Sequence, residues 1–194
     1  MRLRCMQMQD AAEIVRALGM QRHPEGGWYV EIHRSHVRVR PLPLDKANAH
    51  HGDRNLSRDA GDGQRSARAN ASRAAMTSIY YLLERGQRSH WHRVDADELW
   101  AWHAGAPMEL SIAAADDARG GQRAPTRAPG GGMRTVTVHR LGMNLAGGER
   151  PQAVVPAHAW QSAQPLGDWS LLGCVVAPGF EFAHFEMAPP DWSP

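Results

Sequence analysis

Apolar residues along this chain recur in two rhythms, and the change from one to the other marks its first boundary. Met8, Ala11, Val15 and Leu18 are spaced three or four apart, which predicts a short helix over residues 8–18. Asp10 and Gly19 supply its start and stop signals. After the turn residues His23-Pro-Glu-Gly-Gly27 the period becomes two. Trp28, Val30 and Ile32 point one way and Tyr29, Glu31 and His33 the other, which predicts a strand through Ser35. Further strands are expected at 76–83, 89–92, 98–103, 108–112, 133–139, 152–155, 159–163, 169–176 and 181–187. Many short strands with turn signals between them, and no helices alternating with them, point to a sandwich or barrel.

Two stretches break the pattern. Residues 36–73 and 116–132 are rich in Arg, Asp, Ala and Gly and poor in apolar residues. Neither can bury enough surface to offset the entropy of ordering it, so both read as mobile insertions in a single domain spanning 1–194. The glycines (19) and prolines (13) fit a turn-rich β protein.

Formal net charge is only +2, too little for a strong overall field towards nucleic acid or an anionic membrane. The first insertion carries eight Lys or Arg against four Asp. The basic character therefore belongs to a segment read as a solvated loop, and no nucleic-acid or membrane partner is expected. No apolar run reaches the roughly 20 residues needed to cross a bilayer, and the N-terminus has no signal-peptide pattern. Cys5 and Cys174 are far apart and in no CxxC spacing, which fits a reducing, cytoplasmic setting.

The candidate chemistry is concentrated between Gly86 and Gly105. In a strand, His90 and His92 would face one side, and a hairpin through the polar turn 94–97 would bring Glu98 across from them. Two imidazoles and a carboxylate suit one divalent transition metal, with no preference legible among Zn, Fe, Mn, Ni and Cu. The same residues also suit a hydrogen-bonded core. Trp100 and Trp102 share the face of Glu98 and would wall a pocket or fill the core, and Trp160 is a further aromatic candidate.

This stretch resembles the first motif of the cupin superfamily: a glycine, HxH, a glutamate, and a glycine seven residues later. Five residues separate His92 from Glu98, slightly more than the motif usually has. The second motif, P-x-G-x-x-H, is matched by Pro156-Ala-His158-Ala-Trp-Gln161. His158 stands in place of the glycine, and Gln161 in place of the third metal-binding histidine. Glutamine oxygen is a poor ligand for a soft or borderline metal.

A closer resemblance is to the cupin branch called domain of unknown function 985. HPEGGWYVEIHRS, SIYYLL, HWHRVDADELWAWHAGAPMEL, LGMNLAGGERPQAVVPAHAWQSA and GCVVAPGFEFAHFEM carry it in order. It implies a mainly β, single-domain jelly-roll barrel with a short N-terminal helix, a small-molecule ligand in the lumen, and a homodimer. It brings no established reaction.

Residues 25–34 are also similar to the first strand of the nucleotide-sugar 3,5-epimerases, which are metal-free cupins. That likeness implies substrate contacts from Glu25, Tyr29, Glu31 and Arg34, with His92 as base and Tyr80 or Tyr81 as acid. Three readings stay open at this level. One is a metal-independent cupin that binds a sugar or nucleotide sugar, with isomerisation as its chemistry if it has any. Another is a metal enzyme using His90, His92, Glu98 and Gln161, and the last is a ligand-binding module without catalysis.

Overall fold

A computed structural model of the chain describes residues 10–40, 72–114 and 135–194. Most of the first insertion and all of the second lie outside the described residues, as do Met8 and Cys5.

The helical rhythm gives α1 (Ala11–Leu18). The Asp10 side chain accepts the Glu13 N–H (2.7 Å), and Gly19, at φ 64°, closes the C-terminus. The buried residues Ala11 and Ile14 pack with Leu82, Trp28, Val30 and Tyr80.

Among the described residues, thirteen strands follow: β1 (Gln21–Arg22), β2 (Trp28–Arg34), β3 (Arg38–Val39), β4 (Arg73–Ala74), β5 (Thr77–Glu84), β6 (His92–Val94), β7 (Asp97–Gly105), β8 (Met108–Ala113), β9 (Val136–Leu141), β10 (Gln152–Val155), β11 (Trp160–Pro165), β12 (Trp169–Ala177) and β13 (Phe185–Met187). The order β1-β2-β5-β12-β7-β10 makes one antiparallel sheet, β13-β6-β11-β8-β9 makes a second, and β3 and β4 pair as a small third. Inward residues of the first two, among them Tyr81, Trp100 and Leu172 from the first and Leu110, Leu141 and Ala163 from the second, share one apolar core. This is the two-sheet packing of a jelly roll. Among the described residues, no helix is long and apolar enough to cross a membrane.

Several expectations change against this frame. The segment 89–91 is not a strand, because its backbone is committed elsewhere. The N–H groups of Ser89 and His90 go to Ala163 and Glu25 carbonyls, and the Trp91 carbonyl takes the Ala188 N–H. Nor do β6 and β7 form a hairpin. They belong to opposite sheets, so Glu98 reaches the neighbourhood of His92 by a crossing between sheets. The first insertion is shorter than its composition predicts, since its ends pair as β3 and β4. Arg73, read as part of a solvated loop, is buried: it ion-pairs with Asp95 (2.7 Å) and donates to the carbonyls of Pro178 and Gly179. Its fork of donors is thereby engaged on three acceptors. Residues 181–187 split into a single 3₁₀ turn (Phe182–His184) and β13.

Candidate functional site

Between the sheets opens a cavity of about 290 Å³. Its deep end is formed by Glu25, Tyr81, His92, Glu98, Trp100 and Cys174, and its rim by Gln21, Tyr29, Glu31, Arg34, Phe180 and Phe182. Ile79, Val94, Val176 and Phe185 supply apolar wall, and His23 and Thr77 complete the lining.

Glu25 reaches the deep end because of the two glycines after it. Gly26 and Gly27 have φ of 113° and 73°. A Cβ would stand 2.7 Å from the Arg88 carbonyl at the first and 2.6 Å from that of Leu82 at the second. Only glycine permits both the left-handed backbone and the close approach. The turn is clamped by the Tyr81 hydroxyl on the Gly26 carbonyl (2.8 Å) and by the His90 N–H on the Glu25 carbonyl (2.7 Å). The peptide of His90 thus holds the site together, while its ring turns away to bond the Ala188 carbonyl (2.8 Å).

The deep carboxylates are unlike surface ones. Glu25 Oε2 is 3.2 Å from His92 Nε2 and 3.5 Å from His23 Nδ1. The other His92 nitrogen is 2.7 Å from the His90 carbonyl, which can only accept, so Nδ1 carries a proton and, in the neutral ring, Nε2 offers a lone pair. His23 Nδ1 uses its single lone pair to accept the Glu25 backbone N–H (3.3 Å). The Glu25–His92 contact could hold its proton on either partner, and burial decides between them. Desolvation favours the neutral forms: burial pushes Glu25 up to about 8 and lowers His92. Although Glu25 and His92 are close enough for an ion pair, burial favours a carboxylic acid donating to a neutral imidazole.

Glu98 is held differently. It accepts from Gln161 Nε2 (2.6 Å), while Gln161 Oε1 accepts from Trp100 Nε1 (2.9 Å). Gln161 lies directly opposite His92 in the β6–β11 register. The indole therefore sets which end of the amide faces Glu98. Burial raises Glu98 to about 7, with His92 acting in the opposite direction. Among the described residues, no side chain hydrogen-bonds its second carboxyl oxygen, which is left to the cavity.

These contacts decide whether the residues fit a transition metal. His90 points elsewhere. Gln161 presents an N–H, not an oxygen, to the space a ligand would fill. Among the described residues, no three His, Cys, Asp or Glu side chains converge as a ligand set. The expected quartet of His90, His92, Glu98 and Gln161 does not fit a metal.

At the rim, Arg34 bonds Glu31 through two nitrogens (2.7 and 3.1 Å) and donates to the Phe180 carbonyl (3.1 Å). Strict alternation would put these partners on opposite faces. A one-residue irregularity between Glu31 and His33 restores them to one face, with Arg34 opposite Thr77 and Glu31 opposite Ile79.

Other predicted residues lie away from the cavity. Tyr80 is outward and packs beside α1, its ring 5.8 Å from that of His103. Trp102 packs against the core and donates to the Ala106 carbonyl (2.9 Å). Trp160 is buried on the outer side of β11 against Trp192 (4.6 Å). The cavity also contains residues that the sequence patterns do not single out: His23, Cys174 and the phenylalanines of 180–185. His23 carries a detectable signal, because it shares the Gly-Gly turn with Glu25. The phenylalanines depend on a tertiary clamp, Arg73 on the Pro178 and Gly179 carbonyls, that no local pattern announces.

His158 has φ 66° and donates its N–H to the Val94 carbonyl (2.7 Å), so the left-handed backbone of the motif's glycine position is retained without glycine.

Comparison with known proteins agrees with this architecture. A structure from Shewanella oneidensis is 30% identical, covering 93% of this chain and 85% of its own, with a TM-score of 0.63. A hypothetical protein from Leishmania major is 27% identical, covering 92% and 86%, with a TM-score of 0.65. A dTDP sugar isomerase from Desulfovibrio desulfuricans is 15% identical over 59% of this chain and 64% of its own, with a TM-score of 0.46. None of the curated proteins matches the chain. Residues 12–188 match the family described as Cupin superfamily (DUF985), and the chain belongs to that family.

Proposed function

We propose that this cupin binds a small carbonyl compound of sugar-like size in its lumen and moves a proton on the carbon beside the carbonyl, without a metal. The observation that supports this most is the pair of buried carboxyls held by different partners in one cavity. Glu25 holds a proton against a neutral His92, and Glu98 lies near neutrality with one oxygen free. An acid and a base tuned to neighbouring values within one cavity are what an isomerase or epimerase step requires.

In this reading the Glu98 carboxylate takes the C–H proton. Gln161, fixed by Trp100, keeps the carboxylate in place through its other oxygen. Glu25 supplies the returning proton, and His92 holds that proton ready and aligned. Apolar walls and aromatic rings exclude water around the reacting carbon. The volume matches the small end of ligand sites, roughly 300 Å³. A sugar body fits this scale, and any nucleotide attached to it would lie outside the rim of Phe180 and Phe182.

Proton exchange tests the proposal. The protein is incubated in deuterated water with a panel of aldoses, ketoses and 2-keto acids, and deuterium beside the carbonyl is followed by NMR. Wild-type protein is expected to label at least one class of compound and Glu98→Gln to label none. No labelling above buffer by the wild type would remove the proposal.

A further inference from the structure

Glu25 Oε2 lies between two imidazoles, but the two rings present different atoms to the cavity. His92 uses both nitrogens on the protein: Nδ1 on the His90 carbonyl and Nε2 on Glu25. His23 uses one. Its Nδ1 accepts the Glu25 backbone N–H at 3.3 Å, with the Glu25 carboxyl at 3.5 Å. A ring nitrogen that accepts a backbone N–H carries no proton, so neutral His23 is the Nε2–H tautomer. Among the described residues that N–H has no acceptor; it is not sealed in the packing and belongs to a ring that lines the cavity. The ring stands edge-on to Tyr29 (4.6 Å) and Tyr81 (5.8 Å), which fix its plane. The backbone of the Gly-Gly turn therefore sets both the position and the tautomer of a donor left for a bound molecule to satisfy.

We propose that His23 is a catalytic hydrogen-bond donor whose Nε2–H holds the carbonyl oxygen of the substrate and the negative charge that gathers there. The inference rests on the proton-transfer reading above and names the substrate's recognised group, a carbonyl with a C–H beside it. As the C–H bond breaks, its proton passes to Glu98. The bonding pair becomes a carbon–carbon double bond, and the carbonyl π pair moves onto oxygen. His23 keeps its own proton throughout. Glu25 then delivers a proton to the oxygen or to carbon, and no oxidant or reductant takes part. A neutral imidazole suits this task because it donates without transferring its proton. Burial and the neighbouring His92 keep His23 neutral, its pKa lowered to about 4.

Two experiments on the full chain test the inference. Nitrogen-15 NMR of the imidazoles in wild-type protein at neutral pH should show His23 as the Nε2–H tautomer; an Nδ1–H tautomer or an imidazolium would overturn it. In the deuterium-exchange assay, His23→Phe should lose about a hundredfold or more in kcat, the effect of removing one oxyanion donor, with little change in KM. His23→Gln, which keeps an N–H donor, should recover part of that loss. Exchange by His23→Phe at the wild-type rate would sink this inference alone. No exchange by the wild type would sink the proton-transfer reading and this one with it.

Discussion

The cavity holds two contacts between a glutamate and a basic side chain, one at each end, and they resolve their protons in opposite ways. At the rim, Glu31 and Arg34 are each about two-fifths exposed and form a doubly bonded ion pair. At the deep end, Glu25 and His92 are almost fully buried and meet as neutral acid and neutral base. The closest contacts, 2.7 Å and 3.2 Å, are both short enough for an ion pair, so geometry does not separate the two. Solvent does. Water at the rim supports both charges, and arginine cannot yield its proton. Away from water the charged forms are penalised, and the histidine can remain neutral. One end is built to attract and orient, the other to hold a movable proton.

The largest expected effect follows at the deep end. Glu98→Gln should lower proton exchange by about 10²–10⁴, the range for removing a general base, whereas Glu31→Gln should lower it far less. Measuring both variants in one exchange assay puts the two ends on one scale. The wild-type rate should also be bell-shaped in pH. It should rise as Glu98 loses its proton near 7 and fall as Glu25 loses its proton near 8. Because the two carboxyls are coupled, these limbs belong to the pair.

Stability should carry the same contrast. The folded chain keeps the Glu25 proton from an ordinary 4.5 up to about 8, whereas the unfolded chain releases it. Folded protein then binds more protons than unfolded, so stability falls as pH rises through that window. The fall is clearest above 6.5, because below that value His23 works in the opposite sense. One proton held across one pH unit is worth about 1.4 kcal/mol, which sets a ceiling of a few kcal/mol for the whole window. Chemical denaturation of wild type and Glu25→Gln at pH 6.5 and 8.5 should show the descent in the first and a smaller one in the second, where Glu98 still contributes.

Smaller effects are expected elsewhere. Gln161→Leu leaves the Trp100 N–H and Glu98 without partners, and should cost about 1–3 kcal/mol by thermal or urea unfolding. Arg34→Ala at the exposed rim should change stability by less than ~1 kcal/mol, and less still at high salt.

The fold is well legible in the sequence because period-two alternation survives wherever one face of a strand is buried. The helix 11–18 with its caps and strands such as 77–84 and 169–177 are read from local chemistry alone. The site is legible only in part. Tyr81 and Trp100 line the cavity as strand residues should. His90 does not, because its segment leaves strand geometry to clamp the glycine turn. Tyr80 and Tyr81 differ only in parity, which alternation alone does not assign to a cavity. Arg34 faces inward because of a strand irregularity that leaves no composition signal. The protonation of Glu25 depends on its burial beside His92, a property of segments brought together by the fold.

The most direct test of the buried acid–base pair is carbon-13 NMR titration of the glutamate side-chain carboxyls in the full chain, assigned with Glu25→Gln and Glu98→Gln. Glu25 should be protonated at neutral pH with a midpoint near 8, and Glu98 should change near 7. A Glu25 carboxyl already ionised at pH 6, facing an imidazolium at His92, would contradict the proton placement on which the proposed chemistry stands.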